Sequence, residues 1–529
     1  MKPMKRTLRI TLKAPSPAGR WFDWSRSACA VALALLLACR GAAQAQDDPR
    51  AKELEALRST VQQLEKALQD VRTRLAEMEQ KQSAAPVTNI VVVMPVASPL
   101  GTNASAGSNF MIVAGQKIEF PGPVVPPDSL GRSPILNYDT FNDYQQAAPR
   151  PDNKPIDPAL VGFIPIPGTK SMIRFGGSAR LDAIYDFADN GNPNQFIPSS
   201  IPVDGQSGED GGGRSAIHAK GTRISFEARR PAGEDGTLRI FNENDFFDDS
   251  TSSSMKFRVR HFYGQAWNLL VGQTYSAFMN IDAWPDVLDY AGPNAGINRR
   301  QPQIRYSPSI YDGVGKMHLL FSIEQPDSDL STGATGVPAG AKTVTRTPDG
   351  VAGWRWEGDV GHLQLSGLFR NIGYEADNAP DDTVFGWGAN AAGAFNLFAA
   401  DKLFWQVAYG QGMARYVNDI GSADLDAAPD SSGELEALPV LATVIGYTHQ
   451  WSKQFRSTAS YGYIHAEAPS SLGAFAVEET QYASANLVWN PTKAFRMGLE
   501  YLYGIKETRN GADSDAHRLN FVFRYDLIR

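Results

Sequence analysis

Residues 494–529, AFRMGLEYLYGIKETRNGADSDAHRLNFVFRYDLIR, contain two strand-length runs in which every second residue is apolar. The apolar positions extend from Phe495 to Tyr503 in the first run and from Leu519 to Leu527 in the second. Successive side chains of a β-strand point to opposite faces, so each run has one apolar face and one mostly polar face. A soluble β-sandwich shows the same period with its polar face outward. Features of the rest of the chain distinguish between these two folds.

Similar runs recur from residue 171 to residue 529, separated by short and long polar connections in alternation. The predicted strands are 172–187, 217–230, 236–247, 255–267, 269–276, 299–307, 316–323, 351–358, 361–373, 384–398, 402–414, 437–450, 454–466, 478–490, 494–507 and 515–528. Tight turns at one end and long loops at the other are typical of outer-membrane barrels, whose lumen is polar. The sequence therefore predicts an all-β fold, a sixteen-stranded antiparallel transmembrane β-barrel.

Strand parity predicts which side chains face lipid and which face the lumen. In the first strand Phe175 belongs to the apolar face and Arg180 to the polar face. A charge at the lipid-facing midplane costs roughly 2–4 kcal/mol, so Arg180 is expected in the lumen. The same count on the fourth strand assigns Phe257, Val259 and Tyr263 to the lipid face.

Residues 1–45 have the order of a secretory signal peptide. Basic residues precede an apolar run at 28–38, and the small-residue site Ala43-Gln44-Ala45 follows. Cleavage after Ala45 would remove both cysteines, Cys29 and Cys39, with the leader. The alternative is a lipobox at residues 36–39, which would leave Cys39 as a lipidated N-terminus.

Residues 46–82 carry an apolar seam with the alternating 3–4 spacing of a coiled coil. Its members are Leu54, Leu57, Val61, Leu64, Leu68, Val71, Leu75 and Met78. Leucine at both core positions leaves dimer, trimer and tetramer open, and a single helix packed on a globular body is the alternative. Residues 83–170 are rich in proline and glycine, which predicts an extended linker. We expect the coiled coil to lie in the periplasm.

The loop after the fifth strand differs from the others because apolar residues occur in the middle of an acidic stretch. Apolar residues in the middle of a loop indicate that the loop packs against another part of the protein. In a barrel, that part is the inner face of the wall. Folded inward, it would act as a constriction loop carrying Asp282, Asp286 and Asp289.

The strands on either side of this loop contribute arginines whose parity points them into the lumen. Together with the first strand they supply the predicted selectivity residues, which are Arg180, Arg258, Arg260, Arg299 and Arg305. Arginine offers planar donors that suit carboxylates, and rings of charge set pore selectivity. The alternative is that these arginines pair with the loop aspartates and brace the wall.

Several short motifs on these strands resemble the DcaP-like outer-membrane porins of Gram-negative bacteria. The motifs are Phe175-Gly176-Gly177, Arg260-His261-Phe262-Tyr263-Gly264, Leu270-Val271-Gly272-Gln273-Thr274-Tyr275-Ser276 and Gln303-Ile304-Arg305-Tyr306. The resemblance covers most of residues 171–529, and the heptad segment also matches the arrangement of that family. It implies a homotrimeric diffusion channel in the outer membrane that favours small anionic solutes such as dicarboxylates.

Composition and motifs weigh against other classes of function. A net charge of −7 without clusters of basic and aromatic residues argues against a nucleic-acid partner. The seven histidines are scattered singly, so no metal site, cofactor or catalytic set is predicted and we do not expect an enzyme. An outer-membrane tether, with the coiled coil bound to periplasmic or cell-wall partners, is the alternative to the passive pore.

Overall fold

The computed structural model describes residues 110–113, 116–119, 140–150 and 162–527, apart from 209–210, 233–236, 249–254, 314, 378 and 399. The predicted signal peptide, the coiled-coil seam and most of the predicted linker lie outside these residues.

Sixteen long strands form a closed antiparallel barrel, in which each strand pairs with the next along the chain and the last pairs with the first. They are β1 (Met172–Asp186), β2 (Arg223–Pro231), β3 (Thr237–Asp245), β4 (Arg258–Ala266), β5 (Leu269–Tyr275), β6 (Arg300–Tyr306), β7 (Gly315–Glu324), β8 (Asp349–Gly358), β9 (Gly361–Ala376), β10 (Ala379–Leu397), β11 (Asp401–Gln411), β12 (Pro439–Gln450), β13 (Phe455–Ala466), β14 (Val477–Trp489), β15 (Phe495–Thr508) and β16 (Asp513–Asp526). The predicted sixteen-stranded antiparallel barrel is confirmed.

Shorter elements extend the barrel strands or lie in the loops. Short strands paired with barrel strands are Ile164–Pro165, Arg214–His218, Ser309–Gly313 and Lys342–Val344. Two small hairpins join Phe110–Val113 to Gln116–Glu119 and Ala427–Pro429 to Leu435–Ala437. The helical turns are Tyr144–Ala147, Pro198–Ser200, Ile281–Ala283 and Ala414–Tyr416. No helix in the described part of the chain has the length and apolar character needed to cross a membrane.

Connections between the strands differ in length at the two ends of the barrel. Residues 187–222, 276–299, 325–348 and 412–438 form long loops at one end, whereas 267–268, 359–360 and 451–454 are tight turns at the other. Long loops are extracellular and short turns periplasmic in barrels of this kind. The loop ends are therefore assigned to the cell exterior.

Alternation along β1 separates the two faces as expected. Phe175 and Leu181 are 54% and 41% exposed on the outside, whereas Arg180 and Asp182 are almost fully buried inside. Backbone groups all pair between neighbouring strands in a closed barrel, so its outer face needs only apolar side chains to suit lipid.

A β-bulge in β4 reverses the parity that the sequence predicts. His261 pairs with Glu243 and Val259 with Asn244, so Arg260 is an extra residue without its own partner. Beyond the bulge the faces exchange, because the side-chain period of a strand is two residues. Phe262 is therefore 59% exposed on the lipid side and Tyr263 is 1% exposed inside. The prediction that Tyr263 faces lipid was wrong, while Val259 does face outward.

Glycines in two of the recognised motifs are required by close contact between strands. At Gly177, with φ +137°, an added Cβ would lie 2.2 Å from the carbonyl oxygen of Arg223. At Gly272, with φ +128°, it would lie 2.4 Å from that of Phe262. Both backbone conformations also favour glycine, so these positions tie the motifs to local geometry.

Residues 140–150, called the inner segment below, lie inside the barrel although the sequence predicts an extended linker there. Phe141 and Ala147 are 0% exposed, and Asp143 is 2% exposed. A proline-rich stretch was not expected to be buried in the interior of the protein. Polar side chains of the barrel wall instead receive the segment and hydrogen-bond its carbonyl groups.

The bulge in β4 makes Phe262 a test of the lipid face. Phe262→Lys is expected to lower the free energy of unfolding by about 2–4 kcal/mol, because the residue lies midway along a membrane-spanning strand. Urea unfolding and refolding in lipid vesicles measures the change. Phe262→Leu is the matched control and should unfold near the wild-type midpoint. A stable lysine variant would place this side chain in the lumen.

Candidate functional site

The loop between β5 and β6, residues 276–299, crosses the interior of the barrel. Residues 276–297 are all buried, and several wall side chains donate hydrogen bonds to their carbonyl groups. These donors are Gln364, Ser366, Asn390, Gln406 and Asn486. They come from β9, β10, β11 and β14, so the loop is fixed to widely separated parts of the wall. It is called the inward loop below.

Glycines on the inner face of the wall make room for the inward loop. A Cβ added at Gly446 on β12 would lie 2.5 Å from Cγ of Pro285. One added at Gly498 on β15 would lie 2.6 Å from a methyl carbon of Leu288. Contacts this short cannot form, so a larger side chain would displace the Pro285 ring at Gly446 and the end of the Leu288 side chain at Gly498.

Two loop aspartates form short ion pairs with wall arginines. Asp282 binds Arg355 of β8 at 2.7 Å and Arg150 of the inner segment at 2.6 Å. Asp286 binds Arg456 of β13 at 2.6 Å. A buried carboxylate is costly unless it is paired and hydrogen-bonded, so these pairs anchor the loop.

Asp289 is held differently, mainly by backbone groups. Its carboxylate accepts hydrogen bonds from the amides of Ala291 at 2.9 Å and Phe196 at 3.2 Å, and Arg518 lies 3.9 Å away. None of the three aspartates pairs with Arg258, Arg260, Arg299 or Arg305. The sequence identified the acidic side of these contacts but not their basic partners.

The pKa values of the loop carboxyls reflect these surroundings, outside the membrane-spanning strands. Burial by itself would raise the pKa of Asp282, but Arg150 and Arg355 bring it well below its usual range. Burial raises the pKa of Asp289 to about 6 because the distant Arg518 compensates only in part. Asp282 is therefore ionised at neutral pH, whereas Asp289 titrates close to neutral pH.

A cavity of about 540 Å³ lies beside the inward loop and opens among the long loops. Five arginines line it and define what is called the arginine vestibule below: Arg258, Arg260, Arg299, Arg300 and Arg415. Of the described residues that line it, Asp419 alone carries a carboxyl group. The lining therefore carries an excess of positive charge.

Most vestibule arginines also contact carboxylates of the wall or loops. Arg258 lies 2.8 Å from Asp245, and Arg260 lies 2.9 Å from Glu243. The two vestibule arginines that lie in loops approach the exposed carboxylate of Asp327. Arg415 is 3.4 Å from it and Arg299 is 3.8 Å from it.

Arg300 has no ion pair within the described part of the chain. Its guanidinium lies 5.8 Å from the centre of the Tyr275 ring. Nearby, burial lowers the pKa of Arg299, and the positive charge of Arg415 lowers it further. Guanidinium groups are thus crowded here, and Arg300 is the vestibule arginine left without an ion pair among the described residues.

Two of the predicted selectivity residues lie outside the arginine vestibule. Arg305 lines a separate small cavity at the end with short turns, where it donates to Oε1 of Gln303 at 2.9 Å. Arg180 binds Asp182 and donates to the carbonyl of Leu288 at 2.7 Å. Their parity places them inside the barrel, but parity gives no position along the pore.

Sequence reasoning missed Arg300 and Arg415 as vestibule residues. Arg300 adjoins Arg299, and parity assigned only one of the two to the lumen. Arg415 comes from a helical turn in the loop after β11 and donates to Oε1 of Gln301 at 2.9 Å. No periodic signal marks a residue in such a loop.

A family model described as the DcaP outer membrane protein matches residues 159–527, well over half of the chain. The chain belongs to the DcaP outer membrane protein family. The DcaP channel of Acinetobacter baumannii, known from a crystal structure, has 24% sequence identity and a TM-score of 0.60. The match covers 70% of this chain and 100% of that one, and it shows the DcaP fold.

Two other solved porins are similar to the chain with lower scores than the DcaP channel. The anion-selective porin of Comamonas acidovorans has 11% identity and a TM-score of 0.42, covering 68% of this chain and 100% of its own. Salmonella typhi OmpF has 10% identity and a TM-score of 0.43 over the same shares. No curated protein sequence matches this chain. Family and fold together make the protein a porin-like channel of the outer membrane.

Among the described residues of this DcaP-family barrel, no three histidine, cysteine, aspartate or glutamate side chains are grouped so as to hold a metal ion. The chemistry that the described side chains offer in the lumen is charge and hydrogen bonding. Their arrangement suits binding and passage of small polar solutes.

Gly446 tests whether the inward loop limits flow through the DcaP-family barrel. Gly446→Val is expected to lower single-channel conductance, because the added methyl groups would push Pro285 away from the wall and further into the lumen. Planar-bilayer recordings measure this. The matched control is Gly367→Val on β9, where the nearest atom to an added Cβ is 3.7 Å away. Equal conductance in both variants would mean that the loop does not set the limit.

Proposed function

We propose that this protein is a passive diffusion porin for small hydrophilic solutes and favours anions such as dicarboxylates. The observation that carries the proposal is the arginine vestibule, in which five guanidinium groups surround about 540 Å³ with one carboxyl group in the lining. A cavity of that size accommodates a small organic acid. The cavity lies among the long loops, on the extracellular side of the inward loop.

Arginine suits this role for geometric and electrostatic reasons. A planar guanidinium can donate two parallel hydrogen bonds to one carboxylate, and it stays charged at any physiological pH. Clefts lined by one sign of charge also concentrate oppositely charged solutes at their mouth. Arg300 offers its donors without a competing carboxylate in the described residues, so it is the leading contact for a solute.

Assembly as a homotrimer in the lipid of the outer membrane is part of the proposal. It rests on the family resemblance and on the predicted seam in residues 46–82, which would lie in the periplasm once the leader is removed at residue 45.

Charged residues in the seam test the homotrimer. The double substitution Leu57→Glu with Leu64→Glu should weaken the trimer on native gels, because it places charges at core positions of the coiled coil. Undiminished trimers would mean that the barrel walls assemble without the coiled coil.

Substitution of Arg300 tests the anion preference. Arg300→Gln should raise the succinate concentration that half-blocks the channel by about tenfold, because losing a charge-assisted hydrogen bond costs about 1.5 kcal/mol. The reversal potential in a salt gradient should also shift toward cations. Planar-bilayer recording of the purified protein gives both values.

Arg346→Gln is the matched control for this change. Arg346 lies in an extracellular loop and pairs with Asp381, so its loss changes net charge equally but leaves the vestibule intact. Cation-selective wild-type channels would overturn the anion preference and keep the porin. Correctly inserted protein that never conducts would favour the structural tether.

A further inference from the structure

Three arginines lie directly opposite one another across the strands that close the barrel. Arg496 on β15 pairs in register with Arg524 on β16, which pairs in turn with Arg180 on β1. All three are almost fully buried inside the wall, at 0%, 6% and 3% exposure. Like charges directly opposite in a sheet destabilise it, so this arginine row needs negative partners.

Wall carboxylates supply only part of that charge. Asp182 binds Arg180, and Asp526 binds both other members, at 2.6 Å from Arg496 and 2.9 Å from Arg524. Three guanidinium groups therefore face two carboxylates of the wall. The remaining counter-charge comes from outside the barrel strands.

Asp143 of the inner segment provides it. Its carboxylate accepts from Arg496 at 2.7 Å and lies 2.6 Å from Nη2 of Arg524. Neighbouring acceptors of the segment face the same row. The carbonyl of Phe141 accepts from Arg524 at 2.9 Å, and the side-chain oxygen of Asn142 accepts from Arg180.

The inner segment is therefore bound as a ligand would be rather than as part of the sheet. In the described residues it has no ladder pairing with a barrel strand, and its local backbone structure is a turn from Thr140 to Asp143 followed by the helical turn Tyr144–Ala147. Arginine side chains make most of its contacts near the row. The segment presents oxygen atoms to guanidinium groups, as a small carboxylic acid does.

Further contacts join the segment to the inward loop and to the arginine vestibule. The amide of Phe141 donates to Asp286 at 2.5 Å, and the hydroxyl of Tyr144 donates to the carbonyl of Tyr290 at 2.8 Å. Tyr144 also lines the arginine vestibule. Tyr144 at the vestibule and Asp143 at the arginine row are neighbours in the chain, so the segment connects the two.

We infer that the arginine row is a second carboxylate site of the pore and that Asp143 occupies it until a solute carboxylate takes its place. The inner segment is then a displaceable plug, which opens when exchange at the row releases Asp143. This inference rests on the proposed anion preference and adds the step that follows binding in the vestibule. It assigns the row a role in passage rather than in bracing the wall.

The first test measures succinate block of the full-length protein in planar bilayers. Asp143→Asn removes the competing carboxylate, so succinate should half-block the variant at a lower concentration than the wild type. The expected decrease is at least about fivefold, which is the lower end of the range typical of coupled sites. The matched control is Asp359→Asn in an exposed short turn, which makes the same charge change away from the row. Equal block in wild type and Asp143→Asn would overturn the second site.

The second test detects movement of the segment with Asp143 intact. Ala147 is 0% exposed, so the thiol of Ala147→Cys should react with a maleimide only when the segment leaves its place. Succinate should accelerate this labelling, and chloride at equal ionic strength should not. Wild-type protein labelled in parallel accounts for Cys29 and Cys39.

The outcomes separate this inference from the proposed function. Labelling that succinate does not accelerate would make the segment a fixed strut, even in an anion-selective channel. Loss of anion selectivity in the wild type would instead overturn the proposed function, which the Arg300→Gln recordings measure independently.

Discussion

Pairing of guanidinium with carboxylate inside the lumen is the interaction on which the interior of this barrel depends. The wall is a hydrogen-bonded cylinder that would stand without it, but the inward loop and the inner segment would not stay inside. Asp282, Asp286 and Asp143 each bind an arginine of the wall. Because the surroundings are largely shielded from water, losing either partner would leave a buried charge uncompensated. The interior is thus specified by charge, and the exterior by apolar surface.

Much of the fold was predictable because its signal is local. A period of two residues, turns and long loops are properties of short stretches, and they predicted all sixteen strands. The same reasoning failed at Tyr263, where the bulge at Arg260 reverses the faces. An extra residue leaves the apolar alternation before and after it intact, so only the pairing with β3 reveals it.

The candidate site was less predictable because its contacts join distant parts of the chain. Parity showed that Arg258 and Arg305 point inward, but not that they lie at different depths of the pore. The acidic loop was recognised from its composition, whereas its partners Arg355 and Arg456 lie on strands far along the chain. The inner segment gave no signal, because its acceptors are backbone carbonyls, one asparagine and one aspartate, which form no periodic pattern in the sequence.

The arginine row also bears on the order in which the molecule is built. Arg180 belongs to the first strand and Arg524 to the last, so the row exists only after the two ends of the sheet have met. The inner segment precedes all barrel strands in the chain, yet its binding surface is completed by the final one. Its seating must therefore be a late step of biogenesis, and a barrel left open at this seam would lack the surface that holds it.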